Sequence, residues 1–405
     1  MSENENIFKS CELLSPAGSP ETLKTALYFG ADAVYIGGSF MQMRADIAGF
    51  SDEELSNAVE LVHSKGKKLY VATNCFAQND EISKLRDYAK FLSFSGVDGV
   101  IVSDLGVLAV MKEAAAELPV HISTQANIQN YKTAEVYYNF GAKRVVLGRE
   151  MTLEQIAALR EMTPKELEIE CFVHGAMCMS YSGRCLISSF LTGKSGNRGD
   201  CTQPCRWMYN IVEEKRPGQH FTVIEDNGSS AILSSHDLNC IEFLDQIALA
   251  GVTSFKIEGR MKSPYYVATV TNAYRQRMDG TASIESLKSE LECASHRPYS
   301  SGFYFGDLKY DHSNDGLYRQ SCKFTGIVLE DEGNGSFKVE MRNRFSVGDT
   351  LEILSPHSSG QSFKVESIID KDGNSRETAH IPREALSIRS DTQLHEGDIL
   401  RKRIG

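Results

Sequence analysis

The chain has 405 residues and a hydrophobic content of 41%, which is enough for one large buried core and a smaller second one. No apolar run approaches the ~20 residues that a membrane-spanning helix needs, and the acidic residues 1–6 do not resemble a secretory signal. We therefore expect a soluble cytoplasmic protein with no membrane partner. A net charge of −11 argues against broad, nonspecific nucleic-acid binding but still permits a local basic patch that docks on a folded RNA.

Eight short apolar runs alternate with amphipathic segments over the first 260 residues, which predicts eight β-strands separated by helices. The runs begin near residues 12, 33, 68, 99, 121, 144, 167 and 254, and the helices are predicted over 19–29, 52–64, 81–95, 105–117, 132–140 and 153–161. Glycines such as Gly30, Gly96 and Gly141 follow the helical segments, as is typical of a helix that stops before a strand.

This helix–glycine–strand rhythm is typical of βα units around a parallel sheet, and eight such strands predict a TIM-type (β/α)8 barrel. A doubly wound open sheet is the alternative. It is less favoured because no Gly-x-Gly-x-x-Gly fingerprint follows the first predicted strand.

In a barrel of this type, functional side chains lie at the carboxyl ends of the strands. Polar residues occur at these ends of the predicted strands: Tyr35, Asn74, Ser103, Asp104, Gln125, Asn127, Arg149, Glu150, His174, Lys256, Glu258 and Arg260. The candidate catalytic residues among them are Arg149, Glu150, His174, Lys256, Glu258 and Arg260. The alternative for each is a helix cap or a hydrogen bond to loop backbone.

The pattern changes after about residue 280. A helical pattern persists to residue 292, and short predicted strands separated by turns such as Asn334-Gly335 and Asp372-Gly373 begin at residue 322. We therefore predict a TIM-type barrel over residues 1–295 with a cysteine-rich loop inserted at about 175–215, a linker over 296–321, and a small all-β barrel over 322–405.

Four of the ten cysteines lie close together in a polar, glycine-rich stretch: Cys178, Cys185, Cys201 and Cys205. Cytoplasmic thiols stay reduced, so metal ligands, redox centres or core packing are more plausible than structural disulfides. The spacings of six, fifteen and three residues are looser than the C-x2-C pairs of zinc sites and favour an iron–sulfur cluster.

The alternative is that cysteines are small core residues. We adopt it for the isolated cysteines and for Cys171, which lies in a predicted strand, and we keep Cys240 as a spare candidate ligand. The isolated cysteines are Cys11, Cys75, Cys293 and Cys322.

Basic and aromatic residues near this stretch could bind RNA. The basic candidates are Arg184, Lys194, Arg198, Arg206, Lys262 and residues 401–403, and the stacking candidates are Tyr181, Trp207 and Tyr209. Core packing is the alternative for each aromatic residue.

The segment from Glu170 to Ser188 reads Glu-x-Phe-x-His-Gly-Ala-x-Cys-x-x-Tyr-Ser-Gly-x-Cys-x-x-Ser and resembles the signature of peptidase family U32, the collagenase-like proteins. Residues 12–18, 30–37, 123–127, 144–150, 255–263 and 343–349 also resemble blocks of this family. The resemblance therefore extends over essentially the whole chain.

The resemblance implies a TIM-type barrel followed by a β-barrel, and a 4Fe–4S cluster bound by Cys178, Cys185, Cys201 and Cys205. Residues 216–226 and 233–238 are most similar to the branch of prephenate-dependent tRNA uridine hydroxylases. This implies formation of 5-hydroxyuridine at the wobble position, with prephenate as co-substrate and the tRNA anticodon loop as partner. Hydroxylation of ribosomal RNA and collagenase-like proteolysis are the alternatives.

Prephenate carries two carboxylates, which guanidinium groups bind well. Arg149, Arg260 and Lys256 are the candidates for this role, unless Arg149–Glu150 and Glu258–Arg260 are structural ion pairs at the barrel rim. The sequence offers no convincing Ser-His-Asp or Cys-His arrangement for a protease. It also lacks the His-Glu-x-x-His motif of a zinc protease.

Overall fold

The structure is a computed structural model of the chain, and it describes residues 7–43, 49–178, 180–207, 236–306, 318–356 and 360–404. The chain forms two compact units. The first comprises Met1–Leu23, Asp32–Met261 and His296–Tyr318, and the second comprises Lys24–Ala31, Lys262–Ser295 and Arg319–Gly405.

The first unit contains a closed barrel of eight parallel strands. The strands of this unit are β1 (Glu12–Pro16), β2 (Ala33–Gly37), β3 (Lys68–Ala72), β4 (Gly99–Val102), β5 (Val120–Ile122), β6 (Ala142–Val146), β7 (Glu168–Ala176), β8 (Asp237–Asn239), β9 (Ser254–Ile257) and β10 (Tyr299–Ser300). Strands β1 to β7 pair in sequence order, and β9 pairs in parallel with both β1 and β7. The predicted TIM-type barrel is therefore confirmed.

Two short strands extend the barrel sheet at the end of β7. Strand β8 runs antiparallel to β7, with His174 opposite Asn239, and β10 pairs in parallel with β8. A buried ion pair between Asp237 of β8 and Arg297 links this extension to the segment before β10, with Nη2 and Oδ1 2.7 Å apart.

The helices are α1 (Pro20–Tyr28), α2 (Asp52–Ser64), α3 (Ile82–Ser95), α4 (Leu105–Ala114), α5 (Tyr131–Asn139), α6 (Leu153–Glu161), α7 (Ile187–Thr192), α8 (Leu244–Leu249), α9 (Pro264–Asp279) and α10 (Ile284–Leu291). Local sequence sets their ends. Ser51 and Glu54 form a capping box at the start of α2, and Gly96 ends α3 in the left-handed conformation at a φ of 78°. Asp104, one of the polar residues after a predicted strand, caps α4 by accepting hydrogen bonds from two backbone N–H groups.

The second unit contains α9, α10 and an all-β region. Its strands are β11 (Cys322–Gly333), β12 (Ser336–Met341), β13 (Phe345–Ser346), β14 (Thr350–Leu354), β15 (Ser362–Lys364), β16 (Ile368–Ile369), β17 (Ser375–Arg376), β18 (Thr378–Ala379), β19 (Ala385–Arg389) and β20 (Ile399–Arg403). Eight of these strands form an antiparallel sheet in the order β15-β14-β20-β11-β12-β19-β16-β17. Irregularities in the pairing of β11 curl the sheet, as β-bulges do, and the predicted all-β region is confirmed.

The predicted turn at Asn334 and Gly335 joins β11 to β12, and both residues have positive φ angles, 53° and 74°. Phe337, Val339 and Leu386 are among the buried residues of the core of this sheet. None of the described helices combines the length and the hydrophobicity that crossing a bilayer would require.

Some sequence-based predictions fall outside the described residues. These are the branch-specific residues 216–226, residues 233–235 of the second branch-specific segment, the stacking candidate Tyr209, residues 208–215 of the predicted cysteine-rich loop and residues 307–317 of the predicted linker.

Candidate functional site

Arg149 follows strand β6 and links the carboxyl ends of three barrel strands. Its Nη1 donates a 2.6 Å hydrogen bond to the carbonyl of Ala176 at the end of β7, and its Nη2 lies 3.4 Å from Oε2 of Glu258, which follows β9. The guanidinium carbon lies 3.8 Å from the centre of the Phe172 ring. The structure thus brings two of the predicted site residues, Arg149 and Glu258, into direct contact.

Lys256 lies inside the barrel on β9. Its Nζ donates a 2.6 Å hydrogen bond to Oε1 of Glu170 on β7, and both side chains are buried. The ammonium also lies over two aromatic rings, 4.6 Å from the centre of Tyr35 and 5.4 Å from that of Phe172. Burial lowers the pKa of Lys256, although Glu170 counteracts this effect.

A further buried charge, Arg144 on β6, joins the same network from the amino-terminal side. Its Nη1 donates to Oε1 of Glu12 at 2.7 Å and to Oε2 of Glu170 at 2.9 Å. Burial alone would raise the pKa of Glu170, but Lys256 and Arg144 together lower it. The carboxylate of Glu170 therefore remains ionised between two cations.

The sequence reasoning missed this network. A signal was present, because Glu168 and Glu170 occupy alternate positions of a strand whose other residues are mostly apolar. Alternate positions of a strand face the same side, so the charges point together into the barrel.

Arg260 lies beyond the end of β9 and is buried. Its Nη1 lies 3.3 Å from Oε1 of Gln42. A side chain at Gly37, the last residue of β2, would place a Cβ atom only 2.6 Å from this Nη1. The absence of a side chain at Gly37 therefore makes room for the guanidinium.

His174 is only 1% exposed, on β7. Its ring centre lies 5.4 Å from that of Tyr299, and Tyr299 stacks on His296 at 4.0 Å. The structure therefore places this predicted site residue in an aromatic cluster.

Cys178 and residues 180–207, which we call the cysteine loop, are fixed at the carboxyl ends of several strands. Glu150, after β6, accepts a 2.8 Å hydrogen bond from the backbone N–H of Ser182. Gly183 packs so closely on the carbonyl of Gln125, after β5, that a Cβ atom would overlap it. Arg198 donates 2.6 Å and 2.8 Å hydrogen bonds to the Phe76 carbonyl and to Glu81, both beyond β3. The cysteine loop therefore lies at the mouth of the barrel.

This geometry gives two predicted residues an anchoring role. Glu150 holds the cysteine loop through Ser182, and Arg198, a predicted RNA-binding residue, forms an ion pair with Glu81. The Arg198 hydrogen bond, partly offset by desolvation, lowers the pKa of Glu81 to about 2.

The four predicted ligand cysteines of this loop all carry free thiols. Cys178 and Cys201 are exposed, and Cys185 and Cys205 are partly buried. Burial raises the pKa of Cys205, and the other three thiols raise it further against the opposing charge of Arg206. The sulfur atoms of Cys178, Cys185 and Cys201 therefore lie within electrostatic range of the sulfur of Cys205.

The fit of a cluster rests on this donor set. Four soft thiolates from one loop suit a 4Fe–4S cluster. The structure describes no group of three or more His, Cys, Asp or Glu side chains placed to hold a single metal ion. The spare candidate Cys240 is fully buried, and burial, together with Cys171, raises its pKa.

The cysteine loop also exposes large apolar side chains. Tyr181 is 60% exposed and Phe190 on α7 is 88% exposed, and Leu186 and Trp207 are exposed as well. The basic residues Arg184, Lys194 and Arg206 belong to the same loop. Aromatic rings beside cations form a surface suited to unpaired bases.

Asn74, after β3, is another polar residue at the mouth of the barrel. Its Nδ2 donates a 2.9 Å hydrogen bond to Oε1 of Gln125, while its buried Oδ1 has no hydrogen-bond partner among the described residues. A buried carbonyl oxygen without a donor is costly, so this atom is suited to accept a hydrogen bond from a ligand.

Comparison with known proteins matches two family models to successive parts of the chain. The model of peptidase family U32 matches residues 18–314, and that of the peptidase family U32 C-terminal domain matches residues 320–401. The chain is 36% identical to tRNA hydroxylation protein P1 of Bacillus subtilis (strain 168), over 98% of this chain and 96% of that protein.

Two other relatives carry different names. Identity is 35% with tRNA hydroxylation protein P of Escherichia coli (strain K12), over 85% of this chain and 86% of the relative. Identity is 32% with a collagenase of Porphyromonas gingivalis (strain ATCC BAA-308 / W83), over 88% of this chain and 89% of the relative.

Proposed function

The chain belongs to peptidase family U32, and we propose that it is a tRNA-modifying hydroxylase that forms 5-hydroxyuridine at the wobble position, using prephenate and a 4Fe–4S cluster. The observation that carries this proposal is the cysteine loop, whose four free thiols and exposed aromatic residues are anchored at the mouth of the barrel. The names of the Bacillus subtilis and Escherichia coli relatives support tRNA as the substrate.

RNA binding would use the outer surface of the cysteine loop. Tyr181, Phe190 and Trp207 offer exposed rings for stacking, and Arg184 and Lys194 add positive charge for phosphates. A wobble base already lies in a single-stranded loop, so moving it towards the barrel costs little stacking energy.

The carboxylates of prephenate would bind Arg149 and Arg260. The Nη1 of Arg149 is held firmly by Ala176 at 2.6 Å, whereas the contact of Nη2 with Glu258 at 3.4 Å is near the outer limit of a hydrogen bond. An incoming carboxylate can therefore replace Glu258 at Nη2 without disturbing the orientation of the guanidinium. Phe172 supports the same orientation by stacking at 3.8 Å.

Lys256 lies deeper in the barrel, and its ammonium is already paired with Glu170. We therefore assign it to positioning, because it packs on the Phe172 ring that also contacts Arg149. The buried Lys256–Glu170 pair therefore helps to hold the Phe172 ring on which the guanidinium of Arg149 stacks.

The cluster would be held by Cys178, Cys185, Cys201 and Cys205, and when bound it would supply the electron transfer that hydroxylation of a pyrimidine requires. Arg184 and Arg206 would offset the thiolate charge. Left-handed glycines such as Gly183 and Gly199, with φ angles of 71° and 96°, give the loop its tight bends.

The collagenase name of one relative makes peptide hydrolysis the second candidate. A thiol or hydroxyl nucleophile needs an accessible general base. The histidine four residues before Cys178, His174, is buried against Tyr299, which disfavours this role.

Nucleoside mass spectrometry of tRNA from a deletion strain tests the proposal. We expect wobble 5-hydroxyuridine to be lost, wild-type protein to restore it and Cys201→Ser not to. Cys11→Ser, which changes a cysteine outside the loop, is the matched control and should restore it. A normal level of wobble 5-hydroxyuridine in the deletion strain would exclude tRNA as the substrate. Loss of a hydroxylated ribosomal RNA nucleoside would favour the ribosomal RNA alternative, and loss of gelatin digestion would favour the protease alternative.

A further inference from the structure

Two cysteines outside the cysteine loop are nearly in bonding contact. Sγ of Cys322, the first residue of β11, lies 3.0 Å from Sγ of Cys293, which follows α10. Both side chains are fully buried, and both thiols are free. A disulfide is about 2.05 Å long, so a small movement would join the two atoms.

Backbone hydrogen bonds hold the pair in place. The N–H of Cys293 donates to the Glu290 carbonyl at 3.0 Å, and the N–H of Ser321 donates to the Glu292 carbonyl at 2.9 Å. Cys322 also pairs with Arg403 in the β11–β20 ladder. Backbone contacts at or next to each cysteine therefore fix the position of the pair.

The surroundings make the two thiols different. Cys322 donates its hydrogen bond to Cys293, and Ser321 Oγ donates to the same sulfur at 3.4 Å. Arg401 adds positive charge. The hydrogen bond from Cys322 contributes most to lowering the pKa of Cys293, and burial opposes it. Donating that hydrogen bond raises the pKa of Cys322, whereas the charge of Arg401 favours the thiolate form of both residues.

Arg401 is itself fixed by two carboxylates. Its Nη2 lies 2.8 Å from Oε2 of Glu290, and its Nε lies 3.1 Å from Oε2 of Glu352. Its charge therefore stays close to Cys293 in the folded state.

We propose that Cys293 and Cys322 form a redox modification site that reacts with a small hydroperoxide and becomes an intrachain disulfide. The Cys293 thiolate attacks one peroxide oxygen, the O–O bond breaks, and the released hydroxide takes up a proton to leave as water. Cys293 is then a sulfenic acid. Cys322 attacks its sulfur, the S–O bond breaks, and a second water leaves with the Cys322 proton. The two thiols lose two electrons, and the peroxide gains them.

Burial determines which oxidants can react. Hydrogen peroxide is little larger than water, whereas glutathione disulfide and aromatic thiol reagents are too large to reach a fully buried sulfur. The disulfide would close a loop over residues 294–321 and stabilise the second unit. This proposal does not depend on the hydroxylase assignment, because neither cysteine belongs to the cysteine loop.

The test treats the wild-type full chain with increasing hydrogen peroxide, blocks the remaining thiols under denaturing conditions and maps the peptides without reduction. We expect a pair of peptides joined by a disulfide between Cys293 and Cys322. We also expect the midpoint temperature of thermal unfolding to rise by roughly 5 °C and to return to its original value when a reductant is added. Exposed Cys178 and Cys201 report that the oxidant acted, and buried Cys171 and Cys240, whose pKa values are raised by burial, should remain reduced.

Two variants identify the order of attack. In Cys322→Ser, a sulfenic acid on Cys293 should persist and react with dimedone that is present while the oxidised protein is unfolded in denaturant, because the folded protein buries this sulfur. In Cys293→Ser, Cys322 should remain unmodified. The proposal is overturned if the loop cysteines become oxidised while no joined peptide forms in the wild-type protein, or if the sulfenic acid forms on Cys322.

Discussion

The Nζ atom of Lys256 and the Oε1 atom of Glu170 lie 2.6 Å apart on neighbouring strands of the barrel, and both side chains are buried. Arg144 contacts the other oxygen of the same carboxylate at 2.9 Å. Glu170 thus bridges the two cations. Removing its charge would leave buried Lys256 without the carboxylate that it contacts, whereas Arg144 would keep its contacts with Glu12 and Glu168.

Glu170→Gln should therefore destabilise the protein by about 3 kcal/mol, since breaking a buried ion pair from one side leaves an uncompensated charge. Urea unfolding measures this change. Glu168→Gln is the matched control, because Glu168 contacts the same Arg144 but is partly exposed, and a cost below about 1 kcal/mol is expected there. Equal costs for both variants would contradict the special role of Glu170.

The anchor between Glu81 and Arg198 should depend on pH. The folded-state pKa of Glu81 is lowered from 4.5 to about 2, chiefly by the Arg198 hydrogen bond. Its stabilising contribution is therefore fully present above pH 4.5 and is lost as the pH falls towards 2. We expect the stability difference between wild type and Glu81→Gln to disappear over this range. Asp80→Asn changes the neighbouring acidic residue, and its difference from wild type in the free energy of unfolding should be smaller at every pH.

Arg149→Lys should weaken prephenate use. A lysine keeps the charge but loses the fixed guanidinium that Ala176 and Phe172 orient, so we expect KM for prephenate to rise by roughly tenfold or more. Steady-state kinetics with varied prephenate measures this change. The exposed Arg86 on α3 provides the control, and Arg86→Lys should leave KM unchanged. An unchanged KM for prephenate in Arg149→Lys would show that Arg149 does not bind a carboxylate of prephenate.

Phe190→Ala should weaken tRNA binding with little change in stability. The ring is 88% exposed, so folding gains little from it, whereas loss of one stacked base typically costs about 1–3 kcal/mol of binding energy. We therefore expect at least about a fivefold increase in Kd for tRNA in a filter-binding or anisotropy assay. Phe94 on α3 is 94% exposed, and Phe94→Ala should not change Kd. Equal Kd values for wild type, Phe190→Ala and Phe94→Ala would mean that tRNA does not stack on Phe190 and binds elsewhere on the protein.

The barrel was predictable because each strand is a short apolar run and its helices carry their own stop signals. Gly96, for example, ends α3 in the conformation that its position in the sequence indicates. These signals are local, so one sequence is enough to recognise them.

The partners within the site were not predictable in the same way. Arg149 contacts Glu258, a residue 109 positions away, whereas the neighbour considered from sequence was Glu150. Glu150 instead anchors Ser182 of the cysteine loop. Such pairings depend on which strand ends are adjacent after the barrel closes, and no local pattern contains that information.

Barrel closure also has a consequence for biosynthesis. The pairing of Glu12 with Ser254 joins residues on the first and last barrel strands, so the ring cannot form until most of the first unit has left the ribosome. All four cysteines of the loop precede Ser254 in the chain and emerge earlier. Nascent chains therefore display these thiols before the barrel mouth exists to anchor them. On the proposed assignment of these thiols to a cluster, recombinant production should supply iron and limit oxygen during translation itself.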